Sequence, residues 1–210
     1  MSAAQLDLFQ APGPLPEGFR YRPDLVTPRE EAALVERLRN LPFTPFMFRG
    51  YRGHRRVVSF GLAYDFGAGA LGRADPVPDF LLGLRERAAA FAGLPAAALA
   101  HVLVNEYAPG AGIGWHRDRP VFEDVVGVSL LSACRFRLRR RVESARAESG
   151  TAESGAARSG WERRALPVEP RSAYLLRGPA RDIWEHSIPP GETLRYSVTF
   201  RSLRRGTEPA

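Results

Sequence analysis

His116 and Asp118 stand two residues apart in Trp115-His116-Arg117-Asp118, and Asn105 and Tyr107 stand two apart just upstream. On an extended chain the side chains alternate faces with a period of two, so the members of each pair can point the same way. An imidazole beside a carboxylate is two thirds of a two-histidine, one-carboxylate metal site, a donor set that suits non-haem Fe(II) in oxygenases. The segment Ala108-Pro109-Gly110-Ala111-Gly112 supplies a turn that leads into the pair. His-x-Asp alone is a weak signal that arises by chance in many chains, so a third ligand has to come from elsewhere.

The third ligand must be one of the remaining histidines, His54, His101 or His186. His54 lies among arginines and suits solvent or phosphate. His101 alternates with Leu103 and Asn105 and can face inward. His186 comes just before the last strand, and a site built from an early strand and a late one suits a jelly roll, where distant strands become neighbours. That last strand alternates sharply. Leu194, Tyr196, Val198 and Phe200 form one face, and Arg195, Ser197, Thr199 and Arg201 the other. On an edge strand the second face is merely solvated. Inside a barrel it becomes a polar wall whose guanidiniums hold a carboxylate by bidentate, charge-assisted hydrogen bonds. A facial triad leaves coordination positions open for a 2-oxo acid and O2, and the distal carboxylate of 2-oxoglutarate then needs an arginine.

The elements that position these residues follow from local patterns. Thr27-Pro28-Arg29-Glu30 starts a helix with a capping box, Leu34, Val35 and Leu38 supply its buried stripe, and Asn40-Leu41-Pro42 ends it. Phe43, Phe46 and Phe48 precede a basic turn from Arg49 to Arg56. Val57 to Phe60 and Leu62 to Phe66 read as strands broken at Gly61, and 67–78 as a loop. Asp79 is the expected cap of a second helix with Phe80, Leu81, Leu84, Ala88 and Phe91 on one face and Gly93 closing it. Strands follow at His101 to Tyr107, Val125 to Ser132, Arg135 to Val142, Trp161 to Leu166, Tyr174 to Leu176 and Tyr196 to Leu203. Residues 143–160 repeat Ala-Glu-Ser-Gly and read as a low-complexity insertion. The expected fold is α+β: a double-stranded β-helix (jelly-roll) core with N-terminal helices packed on one sheet. The expected division is a flexible leader at 1–19 and a domain at 20–205.

Asn105-x-Tyr107, Gly112-Ile113, His116-x-Asp118, His186 and Arg195-Tyr-Ser-Val-Thr-Phe-Arg201 together resemble the AlkB family of Fe(II)/2-oxoglutarate dioxygenases, in the family's order, over about residues 45–204. The resemblance implies that His116, Asp118 and His186 hold Fe(II). It implies that Asn105, Tyr107, Arg195 and Arg201 bind 2-oxoglutarate, with Arg195 at the distal carboxylate and Arg201 nearer the metal. Ser197 stands where several members carry asparagine. The implied activity is oxidative dealkylation of alkylated bases in DNA or RNA, with O2 as the second co-substrate. The alternatives are the same chemistry on tRNA or on a protein, or a catalytically idle nucleic-acid-binding module. A base so treated must be flipped out or offered single-stranded and held by stacking. Tyr64, Phe66, Arg55, Arg56 and Arg119 are the substrate-side candidates, and Trp115 is expected in the core. One departure concerns Pro120, which stands where repair members often carry a base-contacting acid; Glu123 or Asp124 is the candidate replacement.

The chain of 210 residues carries 30 basic side chains, none of them lysine, and a formal charge of +7, which points to a polyanionic partner and nucleic acid first. Arg135, Arg137 and Arg139 form either a phosphate-facing stripe or a solvated strand face. One cysteine, Cys134, excludes an intrachain disulfide and fits a reducing compartment. With no signal-peptide pattern and no apolar run of membrane-spanning length, a cytoplasmic monomer is expected. Gln5-Leu6-Asp7-Leu8-Phe9 is similar to the peptide by which bacterial repair and replication proteins dock on the sliding clamp; the alternative is that Leu6, Leu8 and Phe9 pack on their own domain.

Overall fold

The computed structural model describes residues 14–48, 50–65, 70–143 and 159–207. Gln5, Leu6, Leu8, Phe9 and Phe66, and nearly all of the 143–160 insertion, lie outside the described residues. In chain order the elements are β1 (Phe19–Arg22), α1 (Pro28–Leu38), β2 (Thr44–Phe48), β3 (Tyr51–Phe60), β4 (Leu62–Asp65), β5 (Ala70–Arg73), α2 (Asp79–Ala92), β6 (His101–Tyr107), β7 (Ile113–His116), β8 (Phe122–Leu130), β9 (Cys134–Glu143), β10 (Ser159–Val168), β11 (Ala173–Leu176), α3 (Pro179–Asp182), β12 (Glu185–Ile188) and β13 (Arg195–Leu203). They build a seven-stranded sheet in the order β1-β11-β8-β13-β6-β3-β2, a four-stranded sheet in the order β10-β9-β12-β7, and the small hairpin β4-β5. Strands far apart in sequence are neighbours in both larger sheets, as a jelly roll requires. No helix among the described residues is long and apolar enough to cross a membrane.

Helices α1 and α2 cover one face of the large sheet. Leu34, Val35 and Leu38 of α1 and Leu81, Leu84, Ala88 and Phe91 of α2 pack with Val102, Val104, Val126, Val128, Tyr196, Val198 and Phe200 in one apolar cluster. At the start of α1 the capping box is complete: the Glu30 amide donates to Thr27 Oγ1 at 3.3 Å, and the Thr27 amide donates to Glu30 Oε2 at 2.8 Å. The start of α2 corrects the expectation for Asp79. Pro78 holds the cap position without a side-chain bond, and Asp79 is the first helical residue, where its charge still complements the helix dipole. Phe80 is only partly buried and lies under the Arg37 guanidinium, 5.2 Å away. Gly93, at φ 70°, closes the helix in the left-handed region as expected.

A second cluster fills the space between the sheets with Tyr107, Val125, Phe136, Leu138, Leu166, Val168, Tyr174 and Ile188. Here Gly127 is required by its neighbour: it pairs with Tyr174 across β8 and β11, and a side chain at 127 would occupy the space of the Tyr174 ring. Two local readings are corrected. The basic turn is mostly strand, because Phe48 pairs with Tyr51 and the chain from Tyr51 onward is β3. The expected loop at 67–78 contains β5, which pairs with β4. The edge strand β1, where Phe19 stacks on Tyr174 at 6.4 Å, was not anticipated.

Candidate active site

β7 and β12 lie side by side with His116 directly opposite His186, and the two imidazole centroids are 4.2 Å apart. His116 Nδ1 is 2.9 Å from the Gly114 carbonyl. A carbonyl only accepts, so Nδ1 carries the proton and Nε2 keeps its lone pair for a ligand. Asp118 follows the end of β7. One of its oxygens accepts from Arg201 Nε at 2.7 Å and the other lies 3.6 Å from His186 Nε2. Burial alone raises the Asp118 carboxyl, but Arg201, His186 and His116 outweigh it and hold the group well below the usual carboxylate range. Burial, with His116 adding to it, lowers His186 to about 3, and burial lowers His116 too. At neutral pH the cluster therefore offers two neutral nitrogens and one anionic oxygen.

The donor types, two neutral imidazoles and one ionised carboxylate, fit a divalent iron. Among the described residues, no group of three or more His, Cys, Asp and Glu side chains is arranged so that it could hold a metal ion. Two donors at a right angle on one ion, each at ~2.1 Å, would be about 3.0 Å apart, and Asp118 and His186 stand further apart than that, at 3.6 Å.

The alternation of β13 sends Tyr196, Val198 and Phe200 to the helices and Arg195, Ser197, Thr199 and Arg201 into the space between the sheets. All seven are buried. The strand lies in the middle of the large sheet, so the edge-strand reading of its polar face is overturned. Arg195 is 3% exposed and donates from Nε to Ser129 Oγ at 3.0 Å, while its Nη1 and Nη2 are buried without an acceptor. Its guanidinium sits 5.2 Å from the centroid of the Tyr107 ring. Ser197 lies between Asn105 on β6 and Ser129 on β8. Buried unpaired donors cost about 1–3 kcal/mol each, and a carboxylate satisfies both at once as a fork. At the other end Arg201 Nη1 faces His101 Nδ1 at 3.3 Å; an arginine only donates, so His101 accepts there and is neutral. Burial and Arg201 together bring His101 to about 3.

The substrate-side candidates separate. Arg55 and Arg56 are consecutive on β3 and point to opposite faces. Arg55 is buried, donates to Asn105 Oδ1 at 3.2 Å and stacks 3.7 Å above Phe46, whereas Arg56 is exposed and pairs with Glu106 at 2.7 Å on the helix side. Arg119 lies 4.8 Å above the Tyr64 ring, which joins the segment after Asp118 to the β4-β5 hairpin. Pro120 is exposed. Asp124 does not replace the missing acid: it is buried on β8, accepting from Arg177 Nε at 2.5 Å and from Ser202 Oγ at 3.4 Å. Glu123 is exposed on the same strand. Trp115 is not a core residue either; it lies half-buried on the outer face of the small sheet, flanked by Arg137 and Arg139.

Two participants carried no sequence signal. Ser129 is part of an apolar run and shows its role only through its bond to Arg195. Arg181 on α3 is 5% exposed and donates from Nη2 to the carbonyls of Asp118, at 3.2 Å, and Arg119. It pins the backbone on which Asp118 is mounted.

Residues 18–201 match the model of the 2OG-Fe(II) oxygenase superfamily. The chain is 30% identical over 199 residues to an Arabidopsis thaliana protein described as an alkylated DNA repair protein ALKBH8 homolog, covering 90% of this chain and 56% of that protein. It is 32% identical over 111 residues to a Danio rerio protein described as a probable RNA/DNA demethylase, ALKBH6, covering 53% of this chain and 45% of that one. The chain thus spans about half the length of these curated relatives. The solved structure of OsALKBH1 superposes with a TM-score of 0.62 at 15% identity, covering 92% of this chain and 98% of that one, a likeness of fold.

Proposed function

The chain belongs to the 2OG-Fe(II) oxygenase superfamily, as an AlkB-like member, and we propose that it is a dioxygenase that removes alkyl groups oxidatively from bases in DNA or RNA. One observation carries the proposal above the others: the buried guanidinium of Arg195, with two unpaired nitrogens, stands on the same polar strand face as Arg201, which grips Asp118 beside His116 and His186. Fe(II) with 2-oxoglutarate, when bound, supplies the oxidation: O2 is consumed, the co-substrate leaves as succinate and CO2, and one oxygen enters a C–H bond of an N-alkyl group that departs as an aldehyde. The protein's part is to bind and orient. His116 and His186 present neutral nitrogens, and Asp118 an ionised oxygen. Arg201 fixes the carboxylate, and Arg181 fixes the loop that carries it. Arg195 takes the distal carboxylate of the co-substrate, and Asn105, Tyr107 and Ser197 wall its binding site.

The substrate base has to leave a helical stack to reach this interior, or come from a single strand. Tyr64 and Arg119 supply a ring and a guanidinium plane against which a base can stack. The charge of +7 favours nucleic acid over peptide. Formaldehyde and succinate release should be measured with Fe(II), 2-oxoglutarate and a panel of methylated single-stranded DNA, duplex DNA, tRNA and peptide. Formaldehyde from a nucleic-acid member, lost in Asp118→Ala, is the expected result. Release from the peptide alone, or succinate formation unchanged in Asp118→Ala, would overturn the proposal. The sliding clamp is proposed as a second partner through Gln5, Leu6, Leu8 and Phe9. Equal recovery of the clamp by the intact protein and by a Leu8→Ala/Phe9→Ala variant would sink that docking.

A further inference from the structure

The outer face of the small sheet carries a ladder that the dealkylation site does not use. On β9, Phe136 and Leu138 turn inward and are fully buried, which sends Arg135, Arg137, Arg139 and Arg141 outward. On β10, Trp161 pairs with Arg141 and Arg163 with Arg139, so both join the same face. From β7, on the opposite edge, comes Trp115, since His116 next to it faces inward. The guanidiniums of Arg137 and Arg139 lie 5.0 and 4.4 Å from the Trp115 ring, and those of Arg139 and Arg141 lie 4.1 and 5.3 Å from the Trp161 ring. Planar cation and indole therefore alternate along β9, in the order Arg137, Trp115, Arg139, Trp161, Arg141, with the two indoles reaching in from the edge strands β7 and β10.

Charge on this face is strongly one-sided. Among its described side chains the acid is Glu185, which Arg139 holds at 2.7 Å. Arg135, Arg141 and Arg163 are exposed, and Arg137 donates to the hydroxyl of Ser187 at 3.0 Å. Arg139 and Arg163 stand directly opposite each other across the antiparallel pair. Like charges in that position destabilise a sheet, so a face chosen for stability alone would not carry them. Residues two apart on a strand repeat every ~7 Å, which gives β9 a straight row of cations. A row of arginines tracks a phosphate backbone, and guanidinium planes held flat by indoles offer stacking surfaces to unpaired bases. No lysine contributes anywhere on the chain, so every cation of the ladder has a planar, fork-shaped head.

We propose that this outer face binds a single, unpaired nucleic-acid strand, with Arg135, Arg137, Arg141 and Arg163 on phosphates and the Trp115–Arg139–Trp161 stack against bases. Trp115 is contributed by β7, an edge strand whose other side carries His116, so the ladder and the candidate active site share that strand. The inference shares with the dealkylation reading only the class of partner.

The test uses the full chain and an unmodified, fluorescein-labelled 20-nucleotide strand, as RNA and as DNA, followed by anisotropy between 50 and 200 mM salt. No turnover is needed, so a failure of the dealkylation proposal leaves this result readable. The variant Arg135→Gln/Arg141→Gln/Arg163→Gln alters exposed side chains. Its charge-matched control, Arg22→Gln/Arg29→Gln/Arg39→Gln, alters exposed arginines elsewhere. The ladder variant should bind at least about tenfold more weakly at 100 mM salt, with the slope of log K against log salt reduced by about 2, at ~0.7 per lost phosphate contact, while the control changes about threefold at most. Unchanged affinity for 2-oxoglutarate in the ladder variant shows that its fold is intact; should that affinity fall, the single variants Arg141→Gln and Arg163→Gln are read instead. Equal binding by the ladder variant and the control would overturn the proposal. So would equally tight, equally ladder-dependent binding of a poly-glutamate peptide at the same salt, which would make the partner an acidic protein.

Discussion

Replacing Arg195 by methionine removes a buried charge while keeping most of the side chain's volume. In the protein without co-substrate, Arg195 makes one hydrogen bond, Nε to Ser129 at 3.0 Å, and leaves Nη1 and Nη2 unpaired. Burying an unpaired charge is costly, and its replacement by an apolar side chain of similar volume is commonly neutral or stabilising by about 1–4 kcal/mol. The ligand-free variant should therefore melt at the same temperature as the parent or higher, by roughly 2–4 °C for each kcal/mol gained in a domain of this size. Binding of 2-oxoglutarate goes the other way. Two charge-assisted hydrogen bonds at about 1.5–3 kcal/mol each are lost, which corresponds to a roughly 10²- to 10⁴-fold rise in Kd. Isothermal titration with 2-oxoglutarate in the presence of Mn(II) reads the second effect, and thermal melts with and without 2-oxoglutarate read both, because a ligand that binds only the folded chain raises its melting temperature. A variant that melts far below the parent and still binds 2-oxoglutarate with parental affinity would show that the guanidinium is structural. The assignment of Arg195 to the co-substrate would then be wrong.

Three more outcomes follow from the same geometry. His101 and His186 sit near 3 in the folded chain against an ordinary 6.5, so as pH falls the unfolded chain takes up protons first. Their neutral state costs nothing above pH 6.5, and metal-stripped protein should lose up to about 1.4 kcal/mol per pH unit per histidine between 6.5 and 3. The depressed Asp118 contributes in the same direction below its unfolded value of 3.8. Melting temperatures that stay flat from pH 7 to 4.5 would contradict this, and His101→Gln should lessen the slope. Gly127→Ala forces a methyl group into the Tyr174 ring and should destabilise by about 1–3 kcal/mol, with Tyr174→Leu restoring part of the loss in denaturant melts; additive destabilisation would refute the clash. With Pro120 in place of an acid and Asp124 tied to Arg177, cationic N-methylated bases should hold no advantage over neutral ones, and Pro120→Glu should shift the kcat/KM ratio about tenfold toward the cationic base, read from competing substrates. A parent that already favours the cationic base by more than tenfold would show that another acid does that work.

The residues that carry chemistry were legible because their spacing is tied to strand geometry. His116-x-Asp118 and the alternating Arg195-to-Arg201 face each imply a direction for the side chains, and a jelly roll turns both directions inward. The capping box at Thr27 and the glycine stop at Gly93 were legible because they satisfy backbone groups within a few residues. Of the β4-β5 hairpin only β5 is hidden in the sequence, because its four residues are too few to show a clear alternation, and Trp115 is misplaced because an indole on a strand reads as core until its neighbours are known to be arginines. Arg55 and Arg56 look alike in sequence. Their registry against β6 decides that one enters the site and the other pairs with Glu106 outside it.

The sequence by itself determined the donor types, their order along the chain, and the polar face of the last strand, since all three are properties of residue identity and a period of two. Tertiary structure decided which groups meet. The pairing of β7 with β12 brings His116 against His186 across 70 residues of chain, and the central place of β13 turns a polar face that would be solvated at an edge into a buried wall. Burial then sets the charges: it removes the protons from the histidines, and it leaves Arg195 with two buried nitrogens that no protein acceptor meets. No local pattern encodes that, because it depends on how much water the two sheets exclude when they close.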